Sequence, residues 1–250
     1  MLAKRVIPVL LADGENLVKG ERYDSRRIVG HVQQATKVHQ MRNVDELLVL
    51  DVAATREGRG PDMEFVSRLT AGCFMPITVG GGVSTLEHIR DLLKSGADKV
   101  AVCSAAVENP DFIREAANKF GAQAITVIIE TDSYFWQVTS RNGQRQHPEC
   151  GGALNFAYLM ASLGAGELVL ASTDRDGLMQ GYDLPLIHQV SQLVEVPVVA
   201  CCGAGSYKHM LEAIEAGASA VAAGALFQWT DSTPHEAVEY LGRHGVPVRL

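Results

Sequence analysis

A single closed (β/α)8 barrel is the fold expected of this chain, on three observations. Eight short runs of β-branched and small apolar residues alternate with stretches of helical spacing, which implies successive parallel βαβ units. The chain has 250 residues and is 47% hydrophobic, the size of one complete barrel and enough to bury a large core. The two halves of the chain also repeat each other. Alternation alone would fit an open doubly wound sheet as well. The repeat favours two (βα)4 half-barrels closing on each other.

The expected strands are Lys4–Leu11, Glu46–Val52, Ile77–Gly80, Lys99–Val102, Ala124–Ile129, Glu167–Ala171, Val198–Ala200 and Ala220–Ala223. The first contains the apolar run Val6 to Ala12, which is broken by Pro8 and followed at once by Asp13-Gly14. It reads as a strand and not as a signal peptide. Helical spacing covers His31–Arg42, Leu86–Ser95, Asp111–Lys119, Leu154–Leu163, Leu184–Gln192 and Tyr207–Glu215. The repeat relates Gly80-Gly81-Gly82-Val83-Ser84 to Cys202-Gly203-Ala204-Gly205-Ser206. It also relates Gly96-Ala97 to Gly217-Ala218 and Glu46-Leu47-Leu48 to Glu167-Leu168-Val169, both at an offset of 121 residues. Residues 131–152 form the longest irregular region, an elaborated loop after the fifth strand in which Asn142-Gly143 suggests a hairpin turn. No linker divides the chain, so residues 1–250 are expected to form one domain.

Composition narrows the partners. The net charge is −7 and no basic run is present, which argues against nucleic acid or an anionic membrane surface. No apolar stretch has the length needed to span a bilayer. The five cysteines are odd in number and lack CxxC spacing, as expected of reduced thiols in a cytoplasmic protein. The eight histidines show no metal-ligand spacing. Neither a metal nor a cofactor is expected.

The glycine-rich loops after the third and seventh strands, Gly80–Gly82 and Gly203–Gly205, each open a helix. Backbone N–H groups can approach an anion there, and a helix N-terminus favours negative charge. Either loop alone could simply permit a tight turn. Two at symmetric positions favour a ligand with two phosphates. Asp51, Asp174 and Asp176 fall at or just past strand ends, and Lys19 lies in the loop after the first strand, all at the mouth where barrel chemistry sits. Four more charged residues, Arg5, Glu46, Lys99 and Glu167, stand at strand beginnings, at the opposite end. Two are positive and two negative, and charges crowded near a core axis must pair.

These motifs together resemble the HisF family, the cyclase subunits of imidazole glycerol phosphate synthase. The resemblance rests on Met1-Leu2-Ala3-Lys4-Arg5, Asp13-Gly14 with Lys19-Gly20, Thr78-Val79-Gly80-Gly81-Gly82, Gly96-Ala97-Asp98-Lys99, Ala105-Ala106-Val107-Glu108-Asn109-Pro110, Asp174-Arg175-Asp176-Gly177 and Gly181-Tyr182-Asp183, and it runs to His244-Gly245. It implies a HisH-like glutaminase docked at the barrel bottom as a heterodimer, with Asp98 and Gln123 at that interface. It makes Arg5, Glu46, Lys99 and Glu167 a gate through which ammonia enters. Gly82, Ser104, Gly177 and Gly203 are implied to hold the phosphates of a small-molecule substrate. Lys19, Asp51, Glu130 and Asp176 are the candidate catalytic residues.

The sequence departs from that pattern at the chemical end. The family's two acid–base aspartates end the first and fifth strands. Here those positions are Leu11, which cannot transfer a proton, and Glu130, which is longer by a methylene. Cys103, Cys201 and Ala225 replace an asparagine and two serines, losing or weakening hydrogen-bonding groups. A gate without an acid–base pair implies ammonia delivery without cyclisation. HisF-like paralogues of that kind serve surface-polysaccharide (O-antigen type) pathways, supplying a separate sugar N-amidotransferase. The alternative is an authentic cyclase of histidine biosynthesis. A third reading is a barrel for an unrelated sugar phosphate, which leaves the gate unexplained.

Overall fold

Strand β1 (Arg5–Asp13) closes the sheet, because it pairs in parallel with the second barrel strand and also with the last. A hairpin follows it, β2 (Asn16–Glu21) and β3 (Asp24–His31), before helix α1 (Val32–Met41) and strand β4 (Leu47–Asp51). Next come α2 (Met63–Thr70), β5 (Ile77–Gly80), α3 (Leu86–Lys94), β6 (Lys99–Val102), α4 (Ser104–Glu108), α5 (Asp111–Phe120) and β7 (Ile125–Thr131). A second small hairpin, β8 (Val138–Ser140) and β9 (Arg145–Gln146), precedes α6 (Ala153–Ser162) and β10 (Glu167–Ser172). The chain finishes with α7 (Leu184–Leu193), β11 (Val198–Cys201), α8 (Tyr207–Glu215), β12 (Ala220–Ala223), α9 (Ala225–Trp229) and α10 (Pro234–Arg243). The ring order is β1-β4-β5-β6-β7-β10-β11-β12, each neighbouring pair parallel, with β12 returning to β1. The expected (β/α)8 barrel is therefore present. This computed structural model describes residues 2–132, 134–140 and 145–249; the Asn142-Gly143 turn lies outside the described residues.

Two apolar layers hold the barrel. Alternate strand residues point inward and pack on one another, among them Ile7, Leu48, Ala101, Ile128, Val169 and Val199. The intervening residues, such as Leu10, Leu47, Ile125 and Leu168, face the helices and are fully buried there. Burial of each such side chain contributes roughly 1.5–3 kcal/mol.

The half-barrel repeat extends to the helix caps. Thr85 caps α3 by accepting from the His88 amide at 3.1 Å, and Ser206 caps α8 by accepting from the His209 amide at 3.3 Å. In each loop the same histidine's Nδ1 accepts a backbone N–H, from Ser84 at 3.3 Å and from Gly205 at 3.2 Å. Two glycine loops thus enter their helices by the same construction, on opposite sides of the barrel.

Three expectations need correction. Lys19 does not lie in an open loop but on β2, and the whole β1-to-α1 connection is a hairpin folded over the barrel mouth. Helices α2, α4, α9 and α10 lie outside the expected helical segments, although Thr233-Pro234-His235-Glu236 forms a full capping box. Residues 131–152 are not simply irregular, since they contain β8 and β9.

Candidate active site and the opposite charged end

A cavity of about 1130 Å³, counted out to its open mouth, occupies the end of the barrel where the strands terminate. It descends to Leu48, Ala101, Ile128 and Val169 of the inner apolar layer. Around its rim stand Gly82 and Ser104 from one half of the chain and Gly203 and Ala225 from the other. Ser104 opens α4 and Ala225 opens α9, at the same 121-residue offset as the repeat. Gly203 has φ +102, and a Cβ there would fall 2.2 Å from the Gly181 carbonyl oxygen. Only glycine can hold the loop so close.

The hairpin closes part of the mouth. The Arg22 amide donates to the Asp176 carbonyl at 2.8 Å, and a Cβ on Gly177 would meet the Gly20 carbonyl at 2.3 Å. Arg22, Tyr23 and Ser25 at its tip all have positive φ, at 51°, 62° and 50°. Left-handed non-glycine residues carry strain and persist only where surrounding contacts hold them. Here Tyr23 reaches the cavity and lies 3.9 Å from the Cys202 sulfur.

Four candidate catalytic side chains line this cavity, Lys19, Asp51, Glu130 and Asp176. Lys19 Nζ donates to Asp176 Oδ1 at 3.1 Å, an ion pair buried on both sides. It joins the lid hairpin to the loop after β10. Asp51 is held differently. Its carboxylate accepts from the Ala53 and Ala54 amides at 3.0 and 3.1 Å and from Arg59 at 2.7 and 3.2 Å. These contacts fill the acceptor sites of the carboxylate and fix the loop after β4. Glu130 is buried beside Cys103, whose thiol is pushed well up by burial and then by the Glu130 carboxylate. A hydrogen bond from Cys202 to Cys201 and then burial push the Cys202 thiol up as well. Both thiols are therefore protonated and weakly nucleophilic at neutral pH. Burial, then the neighbouring Cys202 and Glu130, likewise raise Tyr23, which stays a phenol.

Leu11 lines the cavity from β1, across the bore from Glu130 on β7, because these are the first and fifth strands of the ring. Around it stand Val9, Leu50 and Cys201. Lys19 reaches this side from β2, where its neighbour Val18 pairs with Leu11, and it is tied to Asp176. Asp174, grouped with the mouth residues on sequence grounds, does not line the cavity, although Asp176 does. Tyr23, Arg26 and Arg59 cannot be read from sequence spacing, because hairpin folding and loop contacts bring them to the site.

At the opposite end, the four charged residues at strand beginnings form a closed ring. Arg5 donates to Glu46 at 2.5 Å and also to Glu167, while Lys99 donates to Glu46 at 2.9 Å and to Glu167 at 3.0 Å. Thr78 adds a hydroxyl to Glu46 at 2.7 Å. Burial alone would raise the Glu46 carboxyl, but Lys99 and Arg5 bring it below the ordinary carboxylate value. Asp98 and Gln123 lie exposed on the same end, in the segments that lead into β6 and β7. Asp98 also accepts the Ile77 amide at 2.8 Å. Exposed Leu2, Met41 and Phe74 lie in segments that open at this end too.

The fold, the paired glycine loops and the two dissimilar ends agree with one comparison. A family model described as Histidine biosynthesis protein matches residues 5–232. The chain belongs to this family. Its members are barrels of the HisA and HisF type, and the match covers nearly the whole chain. Within this family frame, the candidate phosphate and catalytic residues share one cavity, and the candidate gate residues share one ion-pair ring. Among the described residues no helix is long and apolar enough to cross a membrane.

Proposed function

We propose that this barrel is a HisF-like synthase subunit that receives ammonia from a HisH-like glutaminase and conducts it to the upper cavity, without cyclising a substrate there. The observation that carries this reading is the contrast between the two ends. The ring of Arg5, Glu46, Lys99 and Glu167 is complete, whereas Leu11 faces Glu130 where two carboxylates would be needed. Above the ring the bore is apolar, lined by Ile7, Leu48, Ile128 and Val169. Such a layer is very costly for ammonium to enter and much less so for neutral ammonia. Lys99 and Arg5 are the partly exposed members, so movement of either opens the ring from below. The exposed Leu2, Met41 and Phe74 offer a glutaminase apolar contact on that face.

The final acceptor in this proposal belongs to a separate sugar N-amidotransferase of surface-polysaccharide biosynthesis. The upper cavity holds a phosphorylated small molecule at Gly82, Ser104, Gly177 and Gly203. The second reading, an authentic cyclase, is favoured by one observation: Glu130 and Asp176 both line the cavity and would have to perform both proton transfers. The partner half of the proposal is tested by mixing the purified barrel with its HisH-like glutaminase and measuring glutamine hydrolysis and complex mass. A one-to-one complex with stimulated hydrolysis supports it. Two proteins that elute separately, with hydrolysis unchanged, contradict it.

A further inference from the structure

Arg26 is the cation of the cavity that nothing yet accounts for. It stands on β3 of the lid hairpin, lines the cavity and is only partly exposed. Its guanidinium has neither a hydrogen bond nor an ion pair among the described residues; its one close companion is the Tyr23 ring, 6.0 Å from centroid to Arg26 Cζ. The acids nearest in its field are engaged elsewhere, Asp176 with Lys19 and Glu130 against Cys103. Arg56 adds a second guanidinium that repels it, itself held only loosely to Glu57 at 3.5 Å and Asp13 at 3.9 Å. Burial, the first influence on Arg26, pulls its pKa down. A partly buried, unpaired cation facing another cation is unfavourable unless an anion comes between them.

The placement is also specific. The glycine loops follow β5 and β11, the third and seventh strands, whereas the groups around Arg26 follow the first, second, fifth and sixth. Arg26 therefore overhangs the middle of the cavity, between the two loops. We propose that Arg26, with Tyr23 beneath the lid hairpin, forms a third anion-binding position, so that the ligand carries a central acidic group, phosphate or carboxylate, in addition to the two groups held by the glycine loops. This rests on the reading of the cavity as a phosphate-ligand site. Binding at Arg26 also ties the strained hairpin tip down over the ligand, which makes it a determinant of specificity.

The test uses tungstate as a heavy phosphate mimic. Crystals of the whole protein and of Arg26→Met are soaked in tungstate, and anomalous peaks are located. In solution, trypsin cleavage of the hairpin after Arg22, a site that all three proteins keep, is timed with and without inorganic phosphate. The expected result is peaks at both glycine loops and at Arg26 in the parent protein, with only the last lost in Arg26→Met. Phosphate should slow hairpin cleavage at least threefold in the parent and in Arg26→Lys, and not in Arg26→Met. Peaks confined to the glycine loops, or equal protection in all three proteins, would overturn the third position and leave the phosphate reading intact. Absence of peaks at both glycine loops would overturn the phosphate reading itself. Thermal melting of each variant shows that the fold is kept.

Discussion

Arg5 and Lys99 share both of their acidic partners, since each donates to Glu46 and to Glu167. Neither cation has a carboxylate of its own, so the four residues form one electrostatic unit. Both carboxylates are nearly fully buried while both cations keep some exposure. Loss of one carboxylate leaves two cations competing for the other and should destabilise the barrel by about 3 kcal/mol. Glu167→Gln and Lys99→Met together should cost less than the sum of the two single changes, with a coupling of about 1–3 kcal/mol in urea unfolding. Strict additivity would show that the ring is not a unit.

His39 sets a separate acid limit. Burial, with Arg42 nearby, lowers its pKa from 6.5 to about 4, and its Nδ1 is buried without a partner among the described residues. The unfolded chain binds a proton below pH 6.5 that the folded imidazole refuses. Stability should therefore fall as pH drops from 6.5 towards 4, by up to about 3 kcal/mol, while stability above 6.5 is unaffected by this group. Glu46 acts in a lower window, because a lowered carboxyl loses its contribution only as pH falls below 4.5. Denaturant melts between pH 7 and 4.5 isolate His39, and His39→Leu should flatten that part of the profile.

Gly203→Ala tests the second glycine loop. Its Cβ would strike the Gly181 carbonyl at 2.2 Å and the backbone sits at φ +102, so the loop must move. The expected loss is about 1–3 kcal/mol of stability, together with phosphate binding at that loop. Gly14→Ala, also at positive φ but with open space around it, should leave phosphate binding unchanged. Phosphate titration followed by heteronuclear NMR of the loop amides checks both variants.

If the missing acid–base pair is what silences cyclisation, restoring it should return some chemistry. Leu11→Asp combined with Glu130→Asp puts two shorter carboxylates across the bore, where Leu11 and Glu130 now stand. Turnover in ammonium salt should rise at least about 10²-fold over the parent protein, the usual worth of one positioned acid or base. A folded double variant with no gain would place the defect elsewhere, for example at Cys103 or Cys201.

Much of the architecture was legible because the repeat and the strands are local signals. Ile77–Gly80, Lys99–Val102 and Ala220–Ala223 are strands to the residue, each a short run rich in small and β-branched apolar residues. The charged ring could be anticipated because each member sits at, or one residue before, the start of a strand. The lid was not legible. Strand β3 is almost wholly exposed and reads Asp-Ser-Arg-Arg-Ile-Val-Gly-His, without the alternation of a half-buried strand. Pairing with β2 alone makes it a strand, and that pairing also carries Lys19, Tyr23 and Arg26 over the cavity. Asp51 illustrates the other limit. Its strand-end position can be read from the sequence, but its contacts with Arg59 and two loop amides cannot, because they follow from loop conformation and not from spacing.

The most direct measurement is turnover of the bisphosphorylated ribulosyl substrate by the purified barrel in excess ammonium salt, which removes any need for the glutaminase. Substrate loss is followed by absorbance beside an authentic HisF at equal concentration. No turnover is expected from a folded protein that still binds phosphate, because Leu11 stands where one of the two carboxylates would be needed. Turnover near the authentic rate would contradict that expectation and establish the barrel as a working cyclase.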